Sequence, residues 1–291
     1  MKVIDVHSHL YWDNAEEDGW QIPIAPPGPI GPEVYVQAVS HSLIGRHGGP
    51  SSASGSPLSA KQGASRAESR GGKMVVYAGS GIRQFRDDPT AVRRANEAVA
   101  QLVALAPHLF ILGFTPDPFH LEHTLDLMDE WVNRRGAKII GEIVPYIAGH
   151  EREGPEMDAI YEKAVALHVP INNHSSTAED SAAVGRLAAR HPNARIILAH
   201  IGGTWAFQAG IKVARAYDNV WADTSGWPMV AGGIMEVALK ELGPSKLVFG
   251  IDYPLCDIDT WITRIARLPI SDADKERIAW RNAAELMKLD R

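Results

Sequence analysis

The sequence predicts an α/β fold, a (β/α)8 TIM barrel that forms a single domain over residues 1–291. Eight short apolar segments alternate with segments of helical periodicity along the chain. The apolar segments are nearly continuous in aliphatic residues, which is typical of parallel strands buried on both faces. A barrel of about 250 residues with one insertion accounts for the length. Eight such units favour a closed barrel over an open sheet, and no Gly-x-Gly-x-x-Gly motif follows the first segment to indicate a dinucleotide-binding fold.

The eight predicted strands are short, mostly aliphatic runs that end at a glycine or a polar residue. They cover residues 3–6, 74–78, 109–114, 138–143, 169–174, 195–200, 219–223 and 246–252. Apolar residues at helical spacing predict helices at 90–106, 121–135, 156–167, 179–190, 205–216, 229–242, 258–266 and 271–287. The last helix begins with Ser271-x-x-Asp274, which is the pattern of a capping box.

A long insertion rich in proline, glycine and serine, at 26–72, follows the first predicted strand. The proline run at 26–32 cannot sustain a helix or a central strand, whereas 33–43 could form a short helix. Residues 51–72 have the composition of a flexible loop. A loop this long on a compact domain is often functional, so we expect the insertion to cover the active-site mouth as a lid or to contact a second subunit.

Composition and charge exclude several classes of protein. The net charge of -6 and the isoelectric point near 6.1 argue against binding of nucleic acid through its phosphates. Cys256 is the single cysteine, so an intrachain disulfide and a thiolate metal cluster are both excluded. No apolar run approaches the ~20 residues of a membrane span, and no secretory signal pattern is present. We therefore expect a soluble cytoplasmic protein that acts on a small molecule, without a nucleic acid or membrane partner.

Two histidines directly follow the first strand. His7 and His9 are spaced i, i+2, and residues at that spacing face the same side of an extended strand. Their imidazole nitrogens can therefore reach one point, as the binding of a divalent metal requires. Two ordinary histidines near a terminus are the alternative, so the remaining strands must supply the other ligands.

Other strands end in histidine or carboxylate residues, namely Glu142, His174, His200 and Asp252. The carboxyl ends of barrel strands form the active site in this fold, and several such side chains at one mouth predict a metal site. A metal ion with an open position lowers the pKa of its bound water towards about 7. Asp252 could then accept the proton of that water, and His200 could stabilise a developing oxyanion.

The order of these motifs resembles the amidohydrolase superfamily. The matching stretches are Ile4-Asp5-Val6-His7-Ser8-His9, Asn173-His174, Ile197-Leu198-Ala199-His200-Ile201-Gly202-Gly203, Asp223-Thr224-Ser225-Gly226 and Phe249-Gly250-Ile251-Asp252-Tyr253-Pro254. More narrowly, they resemble the amidohydrolase-related branch, which includes metal-dependent hydrolases and the aminocarboxymuconate-semialdehyde decarboxylase-like enzymes. The closing segment at 280–286 is also similar to the end of that family.

The resemblance implies a metal-dependent hydrolase type of barrel with one or two divalent ions, zinc by expectation and manganese as an alternative. It implies that His7, His9 and His174 are metal ligands. Asp252 would be a ligand that also takes a proton from water, and His200 would act in catalysis or as a ligand. Glu142 occupies the position where two-metal members carry a bridging carboxylated lysine or a glutamate. A bridge, a ligand to one ion and an indirect role all remain open for it. A homodimer is also implied.

Three further residues are candidates for binding the substrate. Arg83 could hold a substrate carboxylate, although a solvated surface arginine is an equal alternative. Trp12 and Trp205 follow strands whose ends line the mouth, where they could form an aromatic wall instead of packing in the usual way.

Three functions are consistent with these candidate residues. The first is a metal-dependent hydrolase that cleaves an ester, lactone or amide bond of a small organic substrate. The alternative is a non-oxidative decarboxylase of an aromatic or unsaturated carboxylic acid. A barrel that binds a ligand without turnover is a third possibility. The complete set of His7, His9, His174 and Asp252 argues against that third possibility.

Overall fold

The computed structural model describes residues 1–10, 32–46, 72–78 and 86–289. Within these ranges nine strand segments form one sheet in which every neighbouring pair is parallel. They are β1 (Ile4–Asp5), β2 (His9–Leu10), β3 (Lys73–Ala78), β4 (Phe110–Phe114), β5 (Ile139–Ile143), β6 (Ile171–Asn173), β7 (Ile196–Leu198), β8 (Val220–Asp223) and β9 (Leu247–Val248). Because β1 and β2 both pair with β3, they are two parts of one barrel strand, and the barrel has eight strands.

The barrel closes between its last strand and its first. The strands follow each other in chain order from β1 through β3 to β9. At the seam, the backbone N–H of Val6 donates to the carbonyl of Phe249 at 2.9 Å, and the N–H of Asp252 donates to the carbonyl of His7 at 2.7 Å. The predicted (β/α)8 barrel is confirmed, and the seam joins two of the candidate site residues through their backbones.

Helices surround the barrel. The α-helices are Pro32–His41, Leu43–Arg46, Ala91–Leu105, Leu121–Asp129, Pro145–Ala148, Pro155–Ala166, Ala178–Arg190, Phe207–Ala216, Ile234–Leu242, Ile258–Ala266, Asp272–Glu276 and Asn282–Met287. Wider π-helical turns at Glu130–Arg134 and Arg277–Arg281 continue two of them. Short 3-10 turns occupy Pro118–His120, Ala199–Gly202, Trp227–Met229 and Pro244–Lys246. The predicted cap is present, because the side chain of Ser271 accepts a hydrogen bond from the backbone N–H of Asp274.

Part of the insertion at 26–72 is helical. Residues 32–46 form two helices, in agreement with the predicted helix at 33–43. Tyr35 and Val39, which are spaced i, i+4, are buried, because this spacing places them on one face of the helix. The Tyr35 ring packs against Phe110, so this part of the insertion belongs to the core. Residues 47–71 lie outside the described ranges, and the proposed lid or dimer contact there stays a prediction.

The predicted strands over 195–200 and 246–252 are shorter in the structure. The strands end at Leu198 and Val248. Beyond them, His200 with φ 59° and Asp252 with φ 74° adopt the left-handed backbone region. This region costs a residue other than glycine about 1–3 kcal/mol and interrupts an extended path. Both strained residues are candidates for the site, in keeping with the tendency of backbone strain to occur where function requires it.

The core places the site at one end of the barrel. An interior layer of aliphatic side chains, including Val6, Val75 and Ile197, packs against Leu286 and Met287 of the C-terminal helix. That helix closes the amino-terminal end of the barrel, so the polar side chains at the strands' carboxyl ends face the other opening. Within the described ranges, no helix has both the length and the apolar character needed to cross a membrane.

Candidate metal centre

The imidazoles of His7 and His9 meet inside the barrel mouth. Their Nε2 atoms lie 3.1 Å apart, and both residues are buried. Nδ1 of His7 faces Oδ2 of Asp223 at 2.8 Å, and Nδ1 of His9 faces the carbonyl of Ala78 at 3.4 Å. Because a carboxylate and a carbonyl accept hydrogen bonds, they favour protons on both Nδ1 atoms. The two Nε2 atoms then present lone pairs to each other, an arrangement that a cation between them would stabilise.

Two carboxylates complete this group. Oε2 of Glu142 lies 3.4 Å from Nε2 of His7 and 3.3 Å from Nε2 of His9. Oδ1 of Asp252 lies 3.8 Å and 3.6 Å from the same two nitrogens. Tetrahedral coordination at about 2.1 Å places neighbouring ligand atoms about 3.4 Å apart. Each carboxylate oxygen is thus near ligand spacing from both histidine nitrogens, and we call these four atoms the first donor set.

A second group of donors lies on the other side of Glu142. Its Oε1 atom is 3.1 Å from Nδ1 of His174 and 3.4 Å from Nε2 of His200. The two histidine nitrogens are 3.2 Å apart. We call these three atoms the second donor set. Glu142 thus presents one oxygen to each set, a position that suits a bridge between two ions or a support for histidines beside one ion.

Asp223 and Ser225 contact two of the site histidines and orient them. Oδ1 of Asp223 accepts the backbone N–H of His200 at 2.8 Å and the hydroxyl proton of Ser225. The Ser225 oxygen in turn lies 2.9 Å from Nδ1 of His200, from which it can accept a hydrogen bond. Since Asp223 also contacts His7, one buried carboxylate fixes two of the site histidines. The sequence analysis did not select Asp223 or Ser225, although the Asp-x-Ser pattern at a strand end was the available signal.

The electrostatics of the site favour positive charge. Burial lowers the pKa of His7, but the negative charges of Glu142 and Asp223 outweigh that effect and raise it well above the ordinary value. Burial raises the pKa of Glu142, yet His7 and His174 more than compensate and hold it well below its usual range. The carboxylates that stabilise an imidazolium here would equally stabilise a divalent cation.

The structure brings together six of the predicted residues, namely His7, His9, Glu142, His174, His200 and Asp252. It does not bring Trp205 to them, because that side chain is 96% exposed. Its predicted role in a substrate wall stays a prediction. Arg83 and Trp12 lie outside the described residues.

The sequence analysis missed two residues of the loop that follows β5. The Tyr146 ring packs on the ring of His174, with 5.0 Å between centroids. Arg152 donates from Nη1 to the carbonyl of His174 at 2.7 Å. Their position after a strand that carries Glu142 was the signal that could have directed attention to them.

The barrel is closed and carries buried histidines and carboxylates at the carboxyl ends of its strands. This arrangement defines a class of barrel enzymes whose active site can bind a metal ion. The chain belongs to the amidohydrolase family, whose model matches residues 4–289. It is therefore an enzyme of the amidohydrolase superfamily, as the sequence motifs predict.

The known relatives include decarboxylases. Gamma-resorcylate decarboxylase of a Polaromonas species is 29% identical over 121 residues, which cover 35% of this chain and 36% of that protein. The structure of 2,6-dihydroxybenzoate decarboxylase in complex with 2,6-dihydroxybenzoate has a TM-score of 0.71, 16% identity and full coverage of both chains. A dihydroxybenzoic acid decarboxylase from Polaromonas, with bound manganese and the inhibitor 2-nitroresorcinol, has a TM-score of 0.70 and 16% identity and covers 100% of this chain and 98% of that one. At these identities the structures establish the shared fold.

Proposed function

We propose that this protein is a metal-dependent, non-oxidative decarboxylase that removes carbon dioxide from an aromatic or unsaturated carboxylic acid. The observation that carries the proposal is the first donor set, with Asp252 at its open edge and His200 on the opposite side of Glu142. The decarboxylases among the relatives support the reaction type. The sequence analysis placed hydrolysis first, and the comparisons favour its alternative.

The residues present fit a divalent ion. The facing Nε2 atoms of His7 and His9 and the buried carboxylates beside them form an acceptor-rich cavity of suitable size. His7, His9 and Asp252 would hold the ion, with His174 and Glu142 as the nearest further ligands. When bound, the ion would supply positive charge to orient and polarise the carboxylate of the substrate. Manganese in one relative's structure makes Mn²⁺ as reasonable a choice as the Zn²⁺ expected from the sequence.

Decarboxylation breaks the bond between the carboxyl carbon and its neighbour, releases carbon dioxide and requires one proton at the carbon left behind. Asp252 is the carboxyl group best placed to take a proton from solvent and pass it to that carbon, because its side chain is 12% exposed. The carboxylates of Glu142 and Asp223 are enclosed. His200, on the opposite side of Glu142, can stabilise negative charge on an oxygen of the substrate. Asp252 is thus assigned to proton transfer and His200 to charge stabilisation.

Hydrolysis is the second candidate, and one observation favours it. Glu142 presents Oε2 to the first donor set and Oε1 to the second, as a carboxylate does between two ions. A two-ion centre would suit the cleavage of an ester, lactone or amide bond by activated water. In that case Asp252 would accept the proton of the water and pass it to the leaving group. Two ions per chain would therefore favour hydrolysis, whereas a single ion would be consistent with either reaction.

The test is a parallel assay of both reactions on the protein loaded with Mn²⁺ or Zn²⁺. Release of carbon dioxide is measured with 2,6-dihydroxybenzoate and a panel of other hydroxybenzoates, beside hydrolysis of a panel of esters and lactones. We expect carbon dioxide release that is lost in Asp252→Asn. Hydrolysis of an ester or lactone without any carbon dioxide release would reverse the order of the two candidates. A wild-type protein that binds neither metal would contradict both.

A further inference from the structure

The segment that follows β5 contacts both the backbone and the side chain of His174. The backbone N–H of His174 donates to the carbonyl of Ile143 at 3.0 Å. Its Nδ1 atom faces Glu142 at 3.1 Å, and its ring packs on Tyr146. The carbonyl of His174 accepts a hydrogen bond from Arg152 at 2.7 Å. Residues 142–152 therefore contact the backbone N–H, the backbone carbonyl and the ring of His174.

Arg152 also reaches beyond His174. Its Nη2 atom lies 2.9 Å from Oδ1 of Asp180, and both side chains are largely buried. The other oxygen of Asp180 accepts the backbone N–H groups of Ser176 and Thr177, both at 3.0 Å, in the capping box of the helix Ala178–Arg190. The Arg152 guanidinium thus links His174, at the start of the segment 174–180, to Asp180 at its end. Arginine suits this task because its planar fork carries five donors and remains charged.

We propose that Arg152 is a positioning residue for His174 and thereby sets the affinity of the site for a divalent ion. With both backbone groups of His174 held, the direction of its Cα–Cβ bond is fixed and Nδ1 points at Glu142. Without the guanidinium, the carbonyl loses a charge-assisted hydrogen bond and the segment 174–177 loses its link to Asp180. Groups that orient metal ligands typically contribute about 10–100-fold to metal affinity. The inference rests on the metal centre proposed above.

The chain offers a matched control for the structural part of this role. Arg186 donates to Glu153 at 2.6 Å and to Glu179 at 2.7 Å, and these carboxylates are the sequence neighbours of Arg152 and Asp180. Arg186 therefore joins the same two segments at the surface, where its side chain is 49% exposed. Its hydrogen bonds are to these carboxylates and not to His174. Arg186→Gln removes a link between the two segments but leaves the contact of Arg152 with His174 in place. It therefore controls for the structural effect of Arg152→Gln.

The experiment compares the full-length wild type with Arg152→Gln, Arg152→Lys and Arg186→Gln. Each protein is freed of metal and titrated with Zn²⁺ in competition with a chromophoric chelator, and its melting temperature is measured without metal. We expect Arg152→Gln to raise the Kd for Zn²⁺ at least tenfold. The Kd of Arg152→Lys should lie between those of the wild type and Arg152→Gln, because an ammonium group can donate to one of the two acceptors but cannot reach both. Arg186→Gln should bind Zn²⁺ as the wild type does.

A Kd of Arg152→Gln within twofold of that of Arg186→Gln would overturn the proposal. Should Arg152→Gln fail to fold, Asp180→Asn takes its place, because an amide oxygen can keep one capping bond while the ion pair is lost. We then expect a three- to tenfold weaker Kd, and an unchanged Kd would overturn the proposal equally. Absence of Zn²⁺ binding by the wild type would instead contradict the metal centre, so the two failures are distinguishable.

Discussion

Oδ2 of Asp223 lies 2.8 Å from Nδ1 of His7, with both side chains buried. A carboxylate in this position accepts a hydrogen bond from the Nδ1–H group, which keeps the proton on Nδ1 and leaves the Nε2 lone pair for a metal ion. The first donor set therefore depends on a residue that does not belong to it. The same carboxylate holds the backbone of His200, so it couples the first strand to the loop after β7.

Asp223→Asn should weaken binding of Zn²⁺ by about 10–100-fold, the usual cost of losing a partner of a ligand histidine. The amide can donate to Nδ1 of His7 and so favour the tautomer whose Nε2 carries the proton and cannot bind metal. Competition with a chromophoric chelator gives the Kd, and circular dichroism of the metal-free protein serves as the folding control. Unchanged affinity in a folded variant would show that Asp223 does not select the tautomer.

Asp252→Asn should keep much of the bound metal but lose turnover by at least a hundredfold, because the amide retains an oxygen ligand and cannot transfer a proton. Metal content and the rate of carbon dioxide release are measured on the same preparation. Full activity in this variant would rule out Asp252 as the proton donor. Loss of all metal would make it primarily a ligand.

Tyr146 should donate a hydrogen bond to the substrate. Its ring rests on His174, and its side chain is enclosed on that face and exposed elsewhere. Burial, followed by the negative charges of Glu142 and Asp252, raises the pKa of its phenol to about 12, so the hydroxyl stays protonated at neutral pH. We expect Tyr146→Phe to raise KM three- to tenfold while the Kd for Zn²⁺ is unchanged. An unaltered KM for every substrate that is turned over would exclude this role.

Asp180 should make the metal-free protein sensitive to acid. Burial raises its pKa, but the backbone N–H of Ser176 and the charge of Arg152 outweigh this and lower it below the ordinary value. Its contribution is therefore fully present above the unfolded value of about 3.9 and is lost as pH falls through the lower folded value. Denaturant unfolding between pH 6 and the acid limit, compared with Asp180→Asn, measures the effect. Parallel stability curves would contradict it.

Local geometry explains which parts of the site could be predicted. His7 and His9 share a side because alternation along a strand is fixed by the backbone, and the rhythm of strands and helices predicts the barrel that brings Glu142, His174 and Asp252 to one mouth. The features that the sequence did not predict also belong to the site. The strands β7 and β9 end earlier than predicted, and His200 and Asp252 beyond them adopt left-handed backbone, which histidine and aspartate visit too rarely for the sequence to predict it.

The contact between Arg152 and His174 could not be predicted, because the acceptor carries no sequence signal. Arg152 binds a backbone carbonyl 22 residues further along the chain, and every residue has such a carbonyl. Asp223, in contrast, followed a predicted strand in the same way as the selected residues. Its contact with His7 spans 216 positions, so the sequence does not show which side chain it orients.

The central claim is that the donors at the barrel mouth bind a divalent metal ion, and metal content per chain tests it most directly. Elemental analysis is performed on wild type purified without chelator, on His174→Ala and on Glu142→Ala. The account predicts at least one equivalent of metal in the wild type and its loss in His174→Ala. One equivalent that persists in Glu142→Ala would indicate a single ion that Glu142 does not ligate, and two that fall in this variant would favour hydrolysis. A wild type without stoichiometric metal, even after incubation with Mn²⁺ or Zn²⁺, would contradict the account.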